Sequence, residues 1–197
     1  MTTEIIRIFD ADMNCIGEKA REEVHRTGDW HETFHCWFTL GEDVLFQKRS
    51  RTKKDYPGLF DITSAGHLMA DETIEDGIRE IEEELGVKLQ FNDLISLGVL
   101  KEEIKLETIY DREFCHVFLY ECREMPTFTL QEEEVESIHK IRLEDALNLF
   151  KGVSQTVEVT TLDGEESQIV ATDSFVGHGS YYVKVLKRIR EQMNEPL

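Results

Sequence analysis

The chain has 197 residues, with 41 Asp or Glu against 22 Lys or Arg, a formal net charge of −19. That balance argues against a nucleic-acid backbone as partner, which needs clustered Lys and Arg, and against an anionic membrane surface. The length suffices for one sizeable core, and the expectation is a single domain over 1–197.

In chain order, 4–9 reads as a strand, with turn residues at 10–14 and a returning strand from Cys15. The apolar and aromatic run 34–40 is expected to be a buried strand, followed by a turn at 41–43 and a strand at 44–47. A polar, basic loop, 48–56, ends at Pro57-Gly58, and 59–63 is short and extended. Strands are expected at 94–106 and 114–122, the second more buried. Leu143, Ala146, Leu147 and Phe150 have helical spacing. The turn Leu162-Asp163-Gly164 between 157–161 and 168–171 signals a hairpin. A final helix with a Lys/Arg-rich outer face is expected from 181 to 193.

Four scattered cysteines, Cys15, Cys36, Cys115 and Cys122, include no Cys-x-x-Cys pair, so thiolate-bound zinc is not expected. No basic-then-apolar leader opens the sequence, and no apolar run reaches the ~20 residues of a membrane span. A cytoplasmic protein with reduced thiols is expected.

The most informative stretch runs from Gly66 to Glu72 and on from Arg79 to Val87. It reads as a glycine loop entering a short helix. Ile74, Ile78, Ile81 and Leu85 form an apolar stripe, while Glu80, Glu83 and Glu84 share another face. Gathered carboxylates repel one another unless a cation sits among them, and hard oxygen ligands suit Mg²⁺ with Mn²⁺ as a substitute. Arg79, four residues before Glu83, is placed to hold it, and Gly86 is placed to close the helix.

These residues resemble the Nudix box, the metal-binding loop-helix of the Nudix hydrolases. Gly66 and Glu72 have the family spacing, as does everything from Arg79 to Val87; the segment 73–78 is one residue shorter than the pattern. The resemblance implies an α/β fold, the Nudix-type α/β/α sandwich with a mixed sheet. The core would occupy about 30–150, with an N-terminal hairpin extension at 1–29 and a hairpin and C-terminal helix at 151–197. It also implies Mg²⁺ held by Glu80, Glu83 and Glu84 with the Gly66 carbonyl, and a small-molecule diphosphate as substrate. Glu134, which precedes Val135 much as in a family Glu-Val pair, is the candidate base. The N-terminal hairpin could pair with a second copy to give a homodimer.

A second resemblance, from His31 to Leu85 and at 111–113, is to isopentenyl-diphosphate isomerase, a Nudix-fold enzyme. His31-Glu32-Thr33-Phe34, the loop from Thr52 to Gly58, Ala65-Gly66-His67 and Asp111-Arg112-Glu113 carry it. His67 falls on an isomerase metal ligand and Glu113 on one half of its acid–base pair. His25 stands six residues before His31, one fewer than in the isomerases. Ala65 stands where that family has Cys, and a methyl group cannot move a proton. No spacing brings Cys36 or Cys115 into that place, so hydrolysis is favoured.

Arg49 and Lys53, in the dense basic cluster of an acidic chain, are the expected diphosphate contacts. His35 is expected to pack rather than ligate. His116 and His139 carry no constellation, and Gly177-His178-Gly179 could line a pocket. The expected function is Mg²⁺-dependent cleavage of a diphosphate linkage. The alternatives are an isomerase-like enzyme or a catalytically weak metal- or nucleotide-binding protein.

Overall fold

The computed structural model describes residues 4–105 and 110–194. Leu106, the last residue of the strand expected from 94, lies outside the described residues. The elements are β1 (Ile5–Phe9), β2 (Cys15–Ala20), α1 (Arg21–Thr27), β3 (Trp30–Leu40), β4 (Asp43–Arg49), β5 (Phe60–Asp61), β6 (Ser64–His67) and α2 (Arg79–Leu85). There follow β7 (Ile95–Lys105), β8 (Tyr110–Cys122), β9 (Val135–Arg142), α3 (Leu143–Phe150), β10 (Val157–Thr161), β11 (Ser167–Val170) and α4 (Tyr181–Met193).

β3 organises the mixed sheet. One edge pairs in parallel with β8, in register from Trp30 with Arg112 to Leu40 with Cys122. The other edge is divided: Trp30 meets β1, Thr33–Cys36 pair with β6, and Phe38–Leu40 pair with β4. Where β4 and β6 part, the sheet opens and a cavity forms.

Strand periodicity sorts the side chains of β3 onto two faces. Trp37 joins Phe46, Val117, Leu119 and the apolar sides of α3 and α4, including Leu147, Tyr182 and Leu186. Phe34, Cys36 and Phe38 join Ile81 and Leu85 of α2 with Phe118. Helices therefore cover both faces, the α/β/α layering expected from the sequence. Trp37 is wholly buried, and truncation to Ala would cost about 3–5 kcal/mol.

Some elements differ from expectation. β3 begins at Trp30, and Lys48 and Arg49 belong to β4 rather than to a loop. α1 has no apolar stripe to reveal it: Val24 is its one buried residue, and Gly28, at φ 72°, caps it by donating to the Val24 carbonyl at 2.8 Å. β9 pairs with β4 through a register irregularity near Arg49, which spoils a period of two. The shortened box segment runs as a 3₁₀ turn, Glu75–Ile78, leading straight into α2. A 3₁₀ turn rises farther per residue than an α-helix, so it spans the gap with one residue fewer. Among the described residues no helix is long and apolar enough to cross a membrane.

Candidate active site

α2 is anchored by Ile81 and Leu85, which are buried against the sheet. That orientation leaves Glu80, Glu83 and Glu84 lining a cavity of about 1040 Å³. Gly66 sits directly under Glu80: a Cβ there would overlap the Glu80 carboxylate. Glu84 is buried and accepts a hydrogen bond from the Ala65 N–H at 3.2 Å. Burial, then the Glu80 charge, push the Glu84 carboxyl up to about 8, and burial also raises Glu80. Glu83 is the exposed member of the three.

Arg79 holds this wall together. It donates to Glu83 at 3.1 Å, as its spacing predicts, and to Glu80 at 2.7 Å. It also reaches both oxygens of Glu72 and, at 3.1 Å, the His67 carbonyl. Glu72 is thus tied to Arg79 and to the Met69 N–H, at 2.8 Å, as a brace of the loop. Crowded carboxylates, with the proton affinity of Glu80 and Glu84 raised, and oxygen-only donors fit a hard divalent cation.

A second group gathers beside the first. His25 of α1, His31 of β3, His67 of β6 and Asp111 of β8 offer ligand atoms within 4.8 Å of one another. Pairing brings them together: Thr33 faces His67, and His31 faces Glu113. His25 Nε2 lies 3.1 Å from His67 Nε2, and His31 Nε2 lies 3.3 Å from Asp111 Oδ1. Among the described residues, the buried His31 Nε2 and Asp111 Oδ1 have no hydrogen-bond partner. Burial, then neighbouring positive charge, push His25 down to about 4 and His67 well below its ordinary value. Neutral imidazoles with a carboxylate are a donor set for a transition metal. The sequence placed only His67 among the ligands.

Glu113 lines the same cavity, 3.5 Å from His35 Nε2. Burial would raise its carboxyl, but the contact with His35 and the imidazole charges around it outweigh burial and hold it low. Cys115 follows two residues on, with Sγ 3.5 Å from the Glu113 carboxylate. It lies beside Glu113 on the same strand face, while Ala65 pairs with His35 across the sheet. Burial pushes the Cys115 thiol well up. His35 is buried, with Nδ1 2.6 Å from the Tyr181 hydroxyl; it reaches the cavity, and it offers a ligand atom within 4.8 Å of those of Glu113 and Cys115.

The basic cluster divides. Lys48 and Arg51 pair with Glu136, at 3.0 and 3.1 Å, beside a separate shallow groove. Arg49, Lys53 and Lys54 line the cavity. Lys53 is the expected phosphate contact and Glu134 the candidate base. In the structure the two pair with each other. Arg49 donates from Nη1 to Asp61 at 3.0 Å, and from Nε and Nη2 to the Asp55 carbonyl at 3.3 and 3.0 Å. His178 lines the cavity, with Nε2 3.0 Å from Asp61 Oδ1. Asp61 carries no sequence signal, since its partners are remote in the chain.

Residues 29–162 match the NUDIX domain. The chain belongs to the Nudix family, and its enzyme class is that of the Nudix pyrophosphohydrolases. An uncharacterized Nudix hydrolase of Clostridium acetobutylicum is 40% identical over 200 residues, covering 95% of this chain and 97% of that protein. An isopentenyl-diphosphate Delta-isomerase of Mycolicibacterium vanbaalenii is 28% identical over 59% of this chain and 66% of that protein. Among solved structures, that of DR0079 from Deinococcus radiodurans superposes with a TM-score of 0.60 at 15% identity, covering 94% of this chain and 98% of that one. The last likeness is one of fold.

Proposed function

We propose that this chain hydrolyses a diphosphate linkage in a nucleoside-diphosphate-type or related small molecule, with Mg²⁺ as cofactor and Mn²⁺ as a substitute. The observation that carries this reading is the convergence of Glu80, Glu83 and Glu84 on a cavity that also holds Arg49 and Lys53. Mg²⁺ at those carboxylates would neutralise diphosphate charge and activate a water. Within the chain, Arg79 keeps Glu80 and Glu83 turned to the cavity, and the Ala65 N–H holds Glu84. Substrate phosphate competes with Glu134 for Lys53, which leaves the Glu134 carboxylate free to accept a proton. The same reading makes the chain a single domain working in the cytoplasm on a small molecule.

The test is a panel of diphosphate compounds, including sugar nucleotides, dinucleotides and coenzyme A, assayed with Mg²⁺ and with Mn²⁺. Glu83→Gln and Glu84→Gln should each lower turnover by about 10²-fold or more while the chain stays folded. Unchanged turnover in both rejects the site. Binding without product release, measured by calorimetry, would make the chain a sensor rather than an enzyme.

A second reading has its own observation. The His25–His31–His67–Asp111 group supports an isomerase-like metal centre. Ala65 opposes that reading, because it supplies no acid at the position the isomerases require.

A further inference from the structure

Residues 163–194 lie beyond the part of the chain that matches the NUDIX domain, yet Val176 and His178 line the cavity. The segment is seated beside β5. Phe175 bridges Phe60, and the Val176 N–H donates to the Phe60 carbonyl at 2.9 Å. That seat sets His178 against Asp61.

Asp61 is a buried hub. Oδ1 lies 3.0 Å from His178 Nε2, and it accepts from the Ile62 N–H at 2.9 Å and the Tyr182 hydroxyl at 3.4 Å. Oδ2 accepts from Arg49 Nη1 at 3.0 Å. Burial would raise the Asp61 carboxyl, but the His178 hydrogen bond and the charges of His178 and Arg49 outweigh it and hold it at about 2. A buried charge group is costly to assemble, and apolar residues of similar volume often match its stability. Its presence on a cavity wall therefore points to work done there.

The hub fixes Arg49. A guanidinium has five N–H donors. Asp61 takes one from Nη1, and the Asp55 carbonyl takes Nε and one from Nη2. One N–H on each of Nη1 and Nη2 has no partner among the described residues, and Arg49 lines the cavity. Two such donors on a planar fork suit two oxygens of one phosphate group.

We propose that the segment 175–182 is part of the active site, with His178 and Asp61 as positioning residues that hold Arg49 so that its remaining N–H groups grip a phosphate of the substrate. This rests on the diphosphate reading given above.

The test is a mutant cycle read by calorimetric titration of inorganic pyrophosphate with Mg²⁺, with kcat and KM measured in parallel on any compound hydrolysed. Arg49→Ala should weaken binding about tenfold. His178→Ala should weaken it by a similar factor, raising KM more than it lowers kcat, and the double variant should bind no worse than Arg49→Ala alone. His178→Gln, whose amide can donate where Nε2 does, should recover most of the affinity. Asp61→Asn, nearly isosteric, replaces His178→Ala in the cycle if that variant fails to fold. Additive losses, or unaltered affinity in the His178 and Asp61 variants while Arg49→Ala weakens binding, overturn the proposal and leave the diphosphate reading standing. A wild-type chain that neither binds pyrophosphate nor hydrolyses any compound of the panel overturns both.

Discussion

The Glu80 carboxylate occupies the space where a Cβ at Gly66 would stand. The glycine is required here by close approach rather than by a left-handed backbone. Gly66→Ala should therefore push Glu80 off the cavity while leaving Ile81 and Leu85 seated in the core. Hydrolysis should fall by about 10²-fold, the scale of a small misplacement of a catalytic group. Assays beside thermal melts check this, and full activity in Gly66→Ala would show that the position of Glu80 does not matter.

Glu84 supplies a pH dependence whose sign follows from burial. Its carboxyl is raised from 4.5 to about 8 in the folded chain. Between those values the folded state keeps a proton that the unfolded state has released. Stability of the metal-free chain should therefore fall as pH rises through this window. Mg²⁺ takes the carboxylate form, so its binding should release protons below pH 8 and raise Tm more at the alkaline end. Melts with and without chelator over roughly pH 5 to 8 measure both effects, and Glu84→Gln should flatten the pH profile. A profile identical in the two proteins would remove Glu84 from the metal site.

The acidic helix was legible because its signal is local. Ile81 and Leu85 anchor one face, Glu80, Glu83 and Glu84 mark another, and Gly86 ends the helix at φ 68°. The bounds of α4 were legible for the same reason, with Tyr181, Val185 and Ile189 at helical spacing. β9 was not, since its buried Val135, Ile138 and Ile141 fall three residues apart, a spacing that belongs to neither pure template. The imidazole group was legible only residue by residue, through the isomerase resemblance, and not as a group. His25, His31, His67 and Asp111 come from four elements: the pairing of β3 with β6 and β8 gathers the last three, and α1 adds His25. The Lys53–Glu134 pair joins residues from a loop and the approach to β9, 81 positions apart, so the sequence carries no sign of it.

That imidazole group makes a prediction separable from the glutamates. Wild-type protein dialysed against Mn²⁺ or Zn²⁺ should retain an ion that His67→Ala or Asp111→Asn loses and that Glu83→Gln keeps. The reason is the donor set: neutral imidazole nitrogens favour a transition metal over Mg²⁺. Metal content measured on each dialysed variant decides it. Equal content in wild type and His67→Ala would mean that the four residues hold no ion.

The isomerase reading is decided at Ala65. Moving a double bond needs one group to give a proton to carbon and another to take one away. Glu113 is buried on the cavity wall with His35 beside it, so one partner is present. Across the sheet Ala65 has no titratable atom. Cys115 does not stand in for it, because it lies next to Glu113 on the same strand and so on the same side of the cavity rather than opposite. Incubation of the wild type with isopentenyl diphosphate and Mg²⁺ or Mn²⁺ should yield no dimethylallyl diphosphate, read by exchange of solvent deuterium into the carbon chain. Incorporation by the wild type would mean that a group other than residue 65 supplies the proton. It would place the chain's chemistry at the imidazole group rather than at the acidic helix.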